Sequence, residues 1–264
     1  MRYFKLTFLI GTLALIATIF VASYKVEQST PSPTPTATQQ LFGGAPLGGL
    51  QQWWTYDSGT VSGTSVTDVS GTGNTGTTTA VQYGTGKLGT AVVFDGTNST
   101  MTSAIGADAF TGLTVSFWVN LRVAGDANDR IIDQQDAGPT NGFTFSVIAG
   151  PAVYYAVRNL AVVEAEMNTV ALNTGQWYHI TGTYTLNSAK LYSNGVNIAT
   201  DTSVTMTDSL CTFTIGDRCT VGLGNLFDGS VDDVRVYNRV LSASEIKDIY
   251  DAGSYRRKIN EDDQ

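Results

Sequence analysis

The chain is poor in charge, histidine and cysteine. Of its 264 residues only 14% are charged, against about 25% in an average soluble protein. His179 is the sole histidine, so no HExxH pair or histidine-rich metal site can form. On the strand "WYHIT" it alternates with Tyr178 and Ile180, which is the setting of a structural or surface histidine. No Gly-x-Ser-x-Gly elbow, P-loop or dinucleotide glycine motif is present. Two cysteines make no metal site without further ligands. Basic residues form no block outside the extreme N-terminus and "RRK" at 256–258, which argues against nucleic acid as a partner.

What fills the gap is glycine (28 residues) with serine and threonine, while apolar residues still reach 42%. That mixture suits many short strands joined by tight turns, with enough apolar surface for a sizeable core. The net charge of −8 suits cation binding and a soluble exterior equally.

Residues 1–5 read as a cytoplasmic stub and 6–24 as an uncharged run. Nineteen residues at helical rise span about 28 Å, close to the hydrocarbon thickness of a bilayer. Arg2 and Lys5 before the run favour a cytoplasmic N-terminus. The expectation is a single-pass membrane protein with its C-terminal domain extracellular; a cleaved signal peptide would make it secreted. Residues 25–49 combine a Ser/Thr/Pro-rich stalk with a glycine-rich joint. The folded domain is placed at 50–253, and 254–264 form a charged tail.

From Leu50 onward the hydrophobic period is two. In "TVSFWVNL" (114–121), Val115, Phe117, Val119 and Leu121 share one face, and Trp118 on the other is assigned to packing. "FTFSVIA" (143–149) and "AVYYAV" (152–157) flank a Gly150–Pro151 turn, and "QWYHITGTYT" (176–185) is another strand. Asn194–Gly195 in "KLYSNGVNIA" marks a two-residue hairpin turn. "GSVDDVRVY" (229–237) is the last strand. A short helix follows at "SASEIKDIY", with Ser242 as N-cap and Glu245 completing a capping box. The fold class is all-β, a two-sheet antiparallel jelly-roll sandwich with a short C-terminal helix.

Cys211 and Cys219 flank a segment short enough to bridge if the chain bends at Gly216–Asp217. Export favours a disulfide, with free thiols as the alternative. Glu164 and Glu166, two apart on a strand, project to one side, so a glycoside-hydrolase pair deserves a trial. Strict alternation puts Asp232 on the face of Val234 and Val236, and Asp233 beside Arg235 as an outer-face pair. An inward Asp232 needs a hydrogen bond or a cation such as Ca²⁺, with Asp68 and Asn74 of "TDVSGTGNTG" as further oxygen donors.

Ordered blocks then carry a resemblance: "WTYDSGTVSGTSVTDVSGTGNTG" (54–76), "GKLGTAVVFDGTNS" (86–99), "FTGLTVSFWVNL" (110–121), the pair "TGQWYHITGTYT" and "KLYSNGVNIA", and "FDGSVDDVRVYNRVLSASEIKDIYDAG" (227–253). Together they resemble the laminin-G-like jelly-roll family of the concanavalin A-like lectin/glucanase superfamily. The resemblance implies a recognition module for carbohydrate or protein, with Ca²⁺ as a structural ion near Asp232, Asp68 and Asn74. Ser58 stands where relatives often carry an acid. The Glu-x-Asp-x-Glu strand of superfamily glucanases has no counterpart, since "VEAEM" lacks the central aspartate.

The leading expectation is therefore a membrane-tethered module that binds an extracellular glycan or surface protein without catalysis. Tyr154, Tyr155 and Trp53 are the candidate ligand-facing aromatics. Trp53 is the expected exposed ring beside a core Trp54, and one of the consecutive tyrosines must face outward. A purely structural surface module and a glycoside hydrolase using Glu164 and Glu166 are the alternatives.

Overall fold

Alternating side chains on antiparallel strands sort into two faces, and two such strand sets have closed on each other. The computed structural model describes residues 45–103, 111–123, 129–136, 141–160, 162–207, 209, 211–219 and 225–262. Among the described residues seventeen strands form two antiparallel sheets. They are β1 (Leu50–Trp54), β2 (Val61–Ser62), β3 (Ser65–Val66), β4 (Gly76–Thr79), β5 (Gln82–Thr85), β6 (Thr90–Asp95), β7 (Thr100–Ser103), β8 (Gly112–Leu121) and β9 (Asp129–Gln135), then β10 (Gly142–Ile148), β11 (Ala152–Asn159), β12 (Val162–Asn168), β13 (Trp177–Thr185), β14 (Ser188–Ser193), β15 (Val196–Thr202), β16 (Phe213–Ile215) and β17 (Asp228–Tyr237). The first sheet runs β15-β14-β13-β8-β17-β6-β5, with β1 also pairing β17. The second runs β12-β11-β10-β9-β16-β7-β4-β3-β2. This is the predicted two-sheet sandwich.

The inner faces meet in one continuous core. Val115, Phe117, Val119 and Leu121 of β8 pack with Phe143, Phe145 and Val147 of β10, as the period-two reading requires. Phe117 meets Phe145 edge-on at 5.1 Å between centroids, and Tyr155 stacks on Phe145 at 4.6 Å. Gly182 of β13 makes this possible, because a Cβ there would lie 2.4 Å from the Phe145 ring. The Asn194–Gly195 turn takes the positive φ values expected of it (50° and 77°).

The helix does more than close the chain. It is α1 (Ala243–Asp262), extending into the stretch read as a tail. Its capping box is formed: Ser242 N donates to Glu245 Oε2 at 2.8 Å and Glu245 N donates to Ser242 Oγ at 3.2 Å. Ile246 and Ile249 join Trp53, Tyr192, Tyr237 and Leu241 in a second apolar cluster on the outer face of the first sheet. Trp118, also outward on β8, stacks under Tyr250 at 5.7 Å. Its packing is thus between sheet and helix.

Membrane topology needs correction. Among the described residues no helix is long and apolar enough to cross a membrane, so the expected single-pass arrangement is not carried forward. The uncharged run at 6–24 lies outside the described residues.

Gly253 sits where α1 meets Trp118, and a Cβ there would fall 2.7 Å from the indole Cζ2 and 2.8 Å from Nε1. Helix propensity alone favours Gly253→Ala by about 1 kcal/mol, but overpacking costs about 1–3 kcal/mol. We expect the variant to be destabilised by about 1 kcal/mol net, measured by urea denaturation. A stabilised variant would show that the helix stands off the sheet.

Candidate functional site

The expected calcium ligands do not form one set. Asp68 takes hydrogen bonds from Trp53 N, Ser70 N and Oγ, Thr72 Oγ1 and Asn74 N, all at 2.8–2.9 Å. Burial pushes its carboxyl up, but these donors outweigh that and hold it below the ordinary value. It organises its own loop. Asn74 lies in that loop and donates through Nδ2 to Gln51 O and Thr72 Oγ1, both at 3.0 Å. Asp232 contacts a different loop, its Oδ2 accepting from Leu88 N at 2.8 Å. Among the described residues no three His, Cys, Asp or Glu side chains converge to hold a metal ion.

A β-bulge explains where Asp232 points. Asp232 pairs with Trp118 and Arg235 with Ser116, with one extra residue between them, and Asp233 takes a φ of 50°. The bulge resets the alternation. Val231, Val234 and Val236 all face the core, while Asp232 pairs on the Trp118 face, opposite to the side strict alternation predicts. Asp233 and Arg235 do pair, with Arg235 Nη2 3.0 Å from Asp233 Oδ2. Both are buried rather than solvated, because Trp53 lies over them. Its indole Nε1 donates to Asp233 Oδ1 at 2.6 Å, and the Arg235 guanidinium stacks 4.4 Å from its ring. Trp53 is only 8% exposed, so the expectation of an open ring there is corrected. Trp54 is in the core as predicted.

His179 is likewise buried beneath α1. Its Nε2 shares a hydrogen bond of 2.8 Å with Ser116 Oγ, but Nδ1 has no partner, so no acid orients the ring and the histidine is structural. Burial, reinforced by Arg235, lowers its pKa to about 3.

Glu164 and Glu166 lie on β12, an edge strand, and engage different neighbours. Glu166 is exposed and its Oε1 accepts from Tyr154 Oη at 2.7 Å. Glu164 Oε2 accepts from Thr205 N at 3.4 Å. Each carboxylate is thus engaged by its own neighbour, and Glu166 stands exposed on the edge strand.

The outer face of the second sheet has no helix over it among the described residues, and there the register assembles three rows. The first joins Arg130, Ser146, Tyr154 and Asn168 across β9, β10, β11 and β12. The second runs Thr214, Asp133, Thr144, Ala156 and Glu166. The third holds Gln135, Gly142 and Arg158. Small side chains at Thr144, Ser146, Ala156 and Gly142 lie low in these rows and are all buried. Arg130, Gln135, Tyr154 and Arg158 stand around them.

This face is polar yet recessed. Asp133 and Gln135 are each 1% exposed and Arg130 is 7% exposed. Arg130 Nη1 donates to Thr144 Oγ1 at 2.9 Å, while its Nε lies 3.7 Å from Asp133 Oδ1, too far for a hydrogen bond. Arg130 Nε, Asp133 Oδ1, both amide atoms of Gln135, Ser146 Oγ and Arg158 Nε all lack a hydrogen-bond partner. Each such group costs about 1–3 kcal/mol when buried without a partner, and six of them fall on this one face. Burial raises the Asp133 carboxyl despite Arg130 nearby, and burial also lowers the Arg130 guanidinium.

The disulfide holds one wall of this face. Cys211 and Cys219 are bonded, with Cα atoms 5.8 Å apart, and Cys219 N donates to Asp133 Oδ2 at 3.1 Å. Of the aromatic candidates, Tyr154 stands half-buried on this outer face. Tyr155 is 1% exposed and donates to Thr183 O at 3.3 Å inside the core. The sequence named Tyr154 and Tyr155 alike and passed over Arg130, Asp133 and Gln135, because "DRIIDQQ" looks too polar to be a central strand. Its signal is the Ile131–Ile132 pair, which a bulge turns toward the core.

Asp232 makes a pH prediction. Burial, then the neighbouring Asp233, raises its carboxyl to about 8, the Leu88 amide only partly opposing. Between 3.8 and 8 the folded state holds a proton that the unfolded state has lost, so stability falls as pH rises. His179 has the opposite sign below about 6.5, so the comparison must be with Asp232→Asn, where His179 cancels. With chelator present, the stability of the native chain relative to Asp232→Asn should fall between pH 5 and 8, by at most about 1.4 kcal/mol per unit. Urea denaturation across that range measures it, and a pH-independent difference would refute it.

No curated protein matches this chain, but solved folds do. The binding domain of Paraclostridial Mosquitocidal Protein 1 gives a TM-score of 0.61 at 19% identity, over 76% of this chain and 52% of that one. Domain 4 of AbnA, an extracellular arabinanase from Geobacillus stearothermophilus solved in complex with arabinotriose, gives 0.60 at 20% identity, over 76% and 98%. The receptor-binding domain of botulinum neurotoxin mosaic serotype C/D gives 0.63 at 14% identity, over 77% and 50%. This chain spans about half the length of the first and third. Such identities speak for the fold alone. Residues 94–247, more than half of the sequence, match the Laminin_G_3 family, and the chain belongs to this family of the concanavalin A-like lectin/glucanases superfamily.

Proposed function

We propose that this domain is a non-catalytic carbohydrate-recognition module whose binding face is the outer surface of the second sheet. The observation that carries the proposal is the group of buried, unpartnered polar atoms on Arg130, Asp133, Gln135, Ser146 and Arg158 around small buried residues. A sugar offers many hydroxyls, each both donor and acceptor, and so meets a mixed set of this kind. Tyr154 supplies an amphipathic ring at the margin, suited to a sugar's C–H face. The comparison with an arabinanase domain solved with arabinotriose supports the same reading.

A glycan array probed with the full chain, followed by calorimetry on the best oligosaccharide, tests the proposal. Tyr154→Ala should weaken binding about tenfold while Tyr155, inside the core, keeps the fold. Trp53→Phe should leave affinity within twofold, because that ring is engaged with Asp233 and Arg235 on the opposite sheet. Binding that survives Tyr154→Ala unchanged, or no binding to any glycan, would refute the site.

Calcium enters this proposal at Asp232 only, since Oδ1 there is buried and unpartnered whereas the Asp68 oxygens are occupied. A structural ion would raise the melting midpoint at pH 8 in the native chain and not in Asp232→Asn. Equal midpoints in millimolar Ca²⁺ and in chelator would remove the ion from the account.

A further inference from the structure

The second sheet is continuous through one short strand. β9, β10, β11 and β12 form one run, β2, β3, β4 and β7 another, and among the described residues only β16 lies between them. β16 has three residues, Phe213–Ile215. It pairs with β7 at Phe213, Thr214 and Ile215, opposite Ser103, Thr102 and Met101. With β9 it pairs only at Thr214 and Ile215, opposite Asp133 and Ile132. β10 and β11, by contrast, pair along seven residues. A ladder of two residues is the weakest seam in such a sheet, and local opening follows weak seams.

The disulfide reinforces that seam. Cys211 and Cys219 bracket β16 and close it into a small ring, their Cα atoms 5.8 Å apart. Both ends of the ring are tied to β9. Gln134 Nε2 donates to Cys211 O at 3.4 Å, and Cys219 N donates to Asp133 Oδ2 at 3.1 Å. Within the ring, Gly216 N donates to Ile131 O at 3.0 Å. With the ends joined, these contacts form and break together. With the ends free, the released segment gains conformational freedom, on the order of fiftyfold in the opening equilibrium for a ring of this size. The two cysteines are half-buried, whereas the three strand residues between them are fully buried. Phe213 is anchored in the core against Trp54 and Phe143, at 5.8 and 6.3 Å between centroids.

We propose that the Cys211–Cys219 bond is a redox-sensitive clasp of the second sheet, whose reduction by a small dithiol lets β9 part from β16 while the first sheet stays closed. The dithiol supplies two electrons and two protons and leaves as its own cyclic disulfide, and the S–S bond becomes two thiols. β16 stays with β7, the longer pairing. Asp133 loses the Cys219 amide, and the edge of β9 is bared. The inference is independent of what the outer face of this sheet binds.

Hydrogen exchange followed by mass spectrometry, on the full chain with and without dithiothreitol at one pH, tests the clasp. Reduction, verified by alkylation of both thiols, should speed exchange at least tenfold in peptides covering 129–136 and 211–219. Peptides from β8, β13 and β17 should keep their rates, and reoxidation with glutathione disulfide should restore the original pattern. The double variant Cys211→Ser, Cys219→Ser should show the reduced pattern without dithiothreitol and no response to it. Unchanged exchange after verified reduction, or a bond that resists dithiothreitol in the folded chain, would overturn the proposal. So would equal acceleration in both sheets or a double variant that does not fold, since the bond would then support the whole domain rather than one seam.

Discussion

The fold depends on the facing of Phe117 and Phe145 across the sandwich, with Tyr155 stacked behind and Gly182 leaving the space they need. Aromatic side chains bring more apolar area per residue than any others, and edge-on and offset contacts add to that. Once these rings interlock, each strand's alternation is committed. Every residue one position away must face outward, and the polar character of the outer faces follows.

A sandwich has four sheet faces, and this protein uses three for packing. Two make the central core. The outer face of the first sheet is covered by α1, with Trp118 stacked under Tyr250 and Ile246 and Ile249 in an apolar cluster of their own. His179, Trp53 and the Asp233–Arg235 pair are all consumed beneath that cover. The outer face of the second sheet has no helix over it among the described residues, and it is the face on which recognition is proposed. The disulfide contributes by holding Cys219 against Asp133.

Bulges decide the details that alternation alone gets wrong. At Asp232–Arg235 an extra residue lets Val234 and Arg235 face opposite sides from those a regular strand would give them. At Ile131 another admits two consecutive isoleucines to the core and still leaves Arg130 and Asp133 pointing out. Both sit within central strands, and both place a carboxylate where it is desolvated. The raised carboxyls of Asp232 and Asp133 are products of backbone irregularity as much as of composition.

The sequence by itself determined the sandwich, the hairpin at Asn194–Gly195, the capping box at Ser242, the cysteine pair and that one of Tyr154 and Tyr155 faces outward. These are local: a period of two, a positive-φ dipeptide, a cap three residues from its partner, a short loop. It did not determine that α1 would cover Trp53, that Asp68 would be saturated by its own loop, or that Arg130, Gln135 and Arg158 would share one recess. Those residues are brought together by pairing among β9, β10 and β11 and by the bulges that set its phase. Register between strands is decided by packing across the whole sheet, which no single strand encodes.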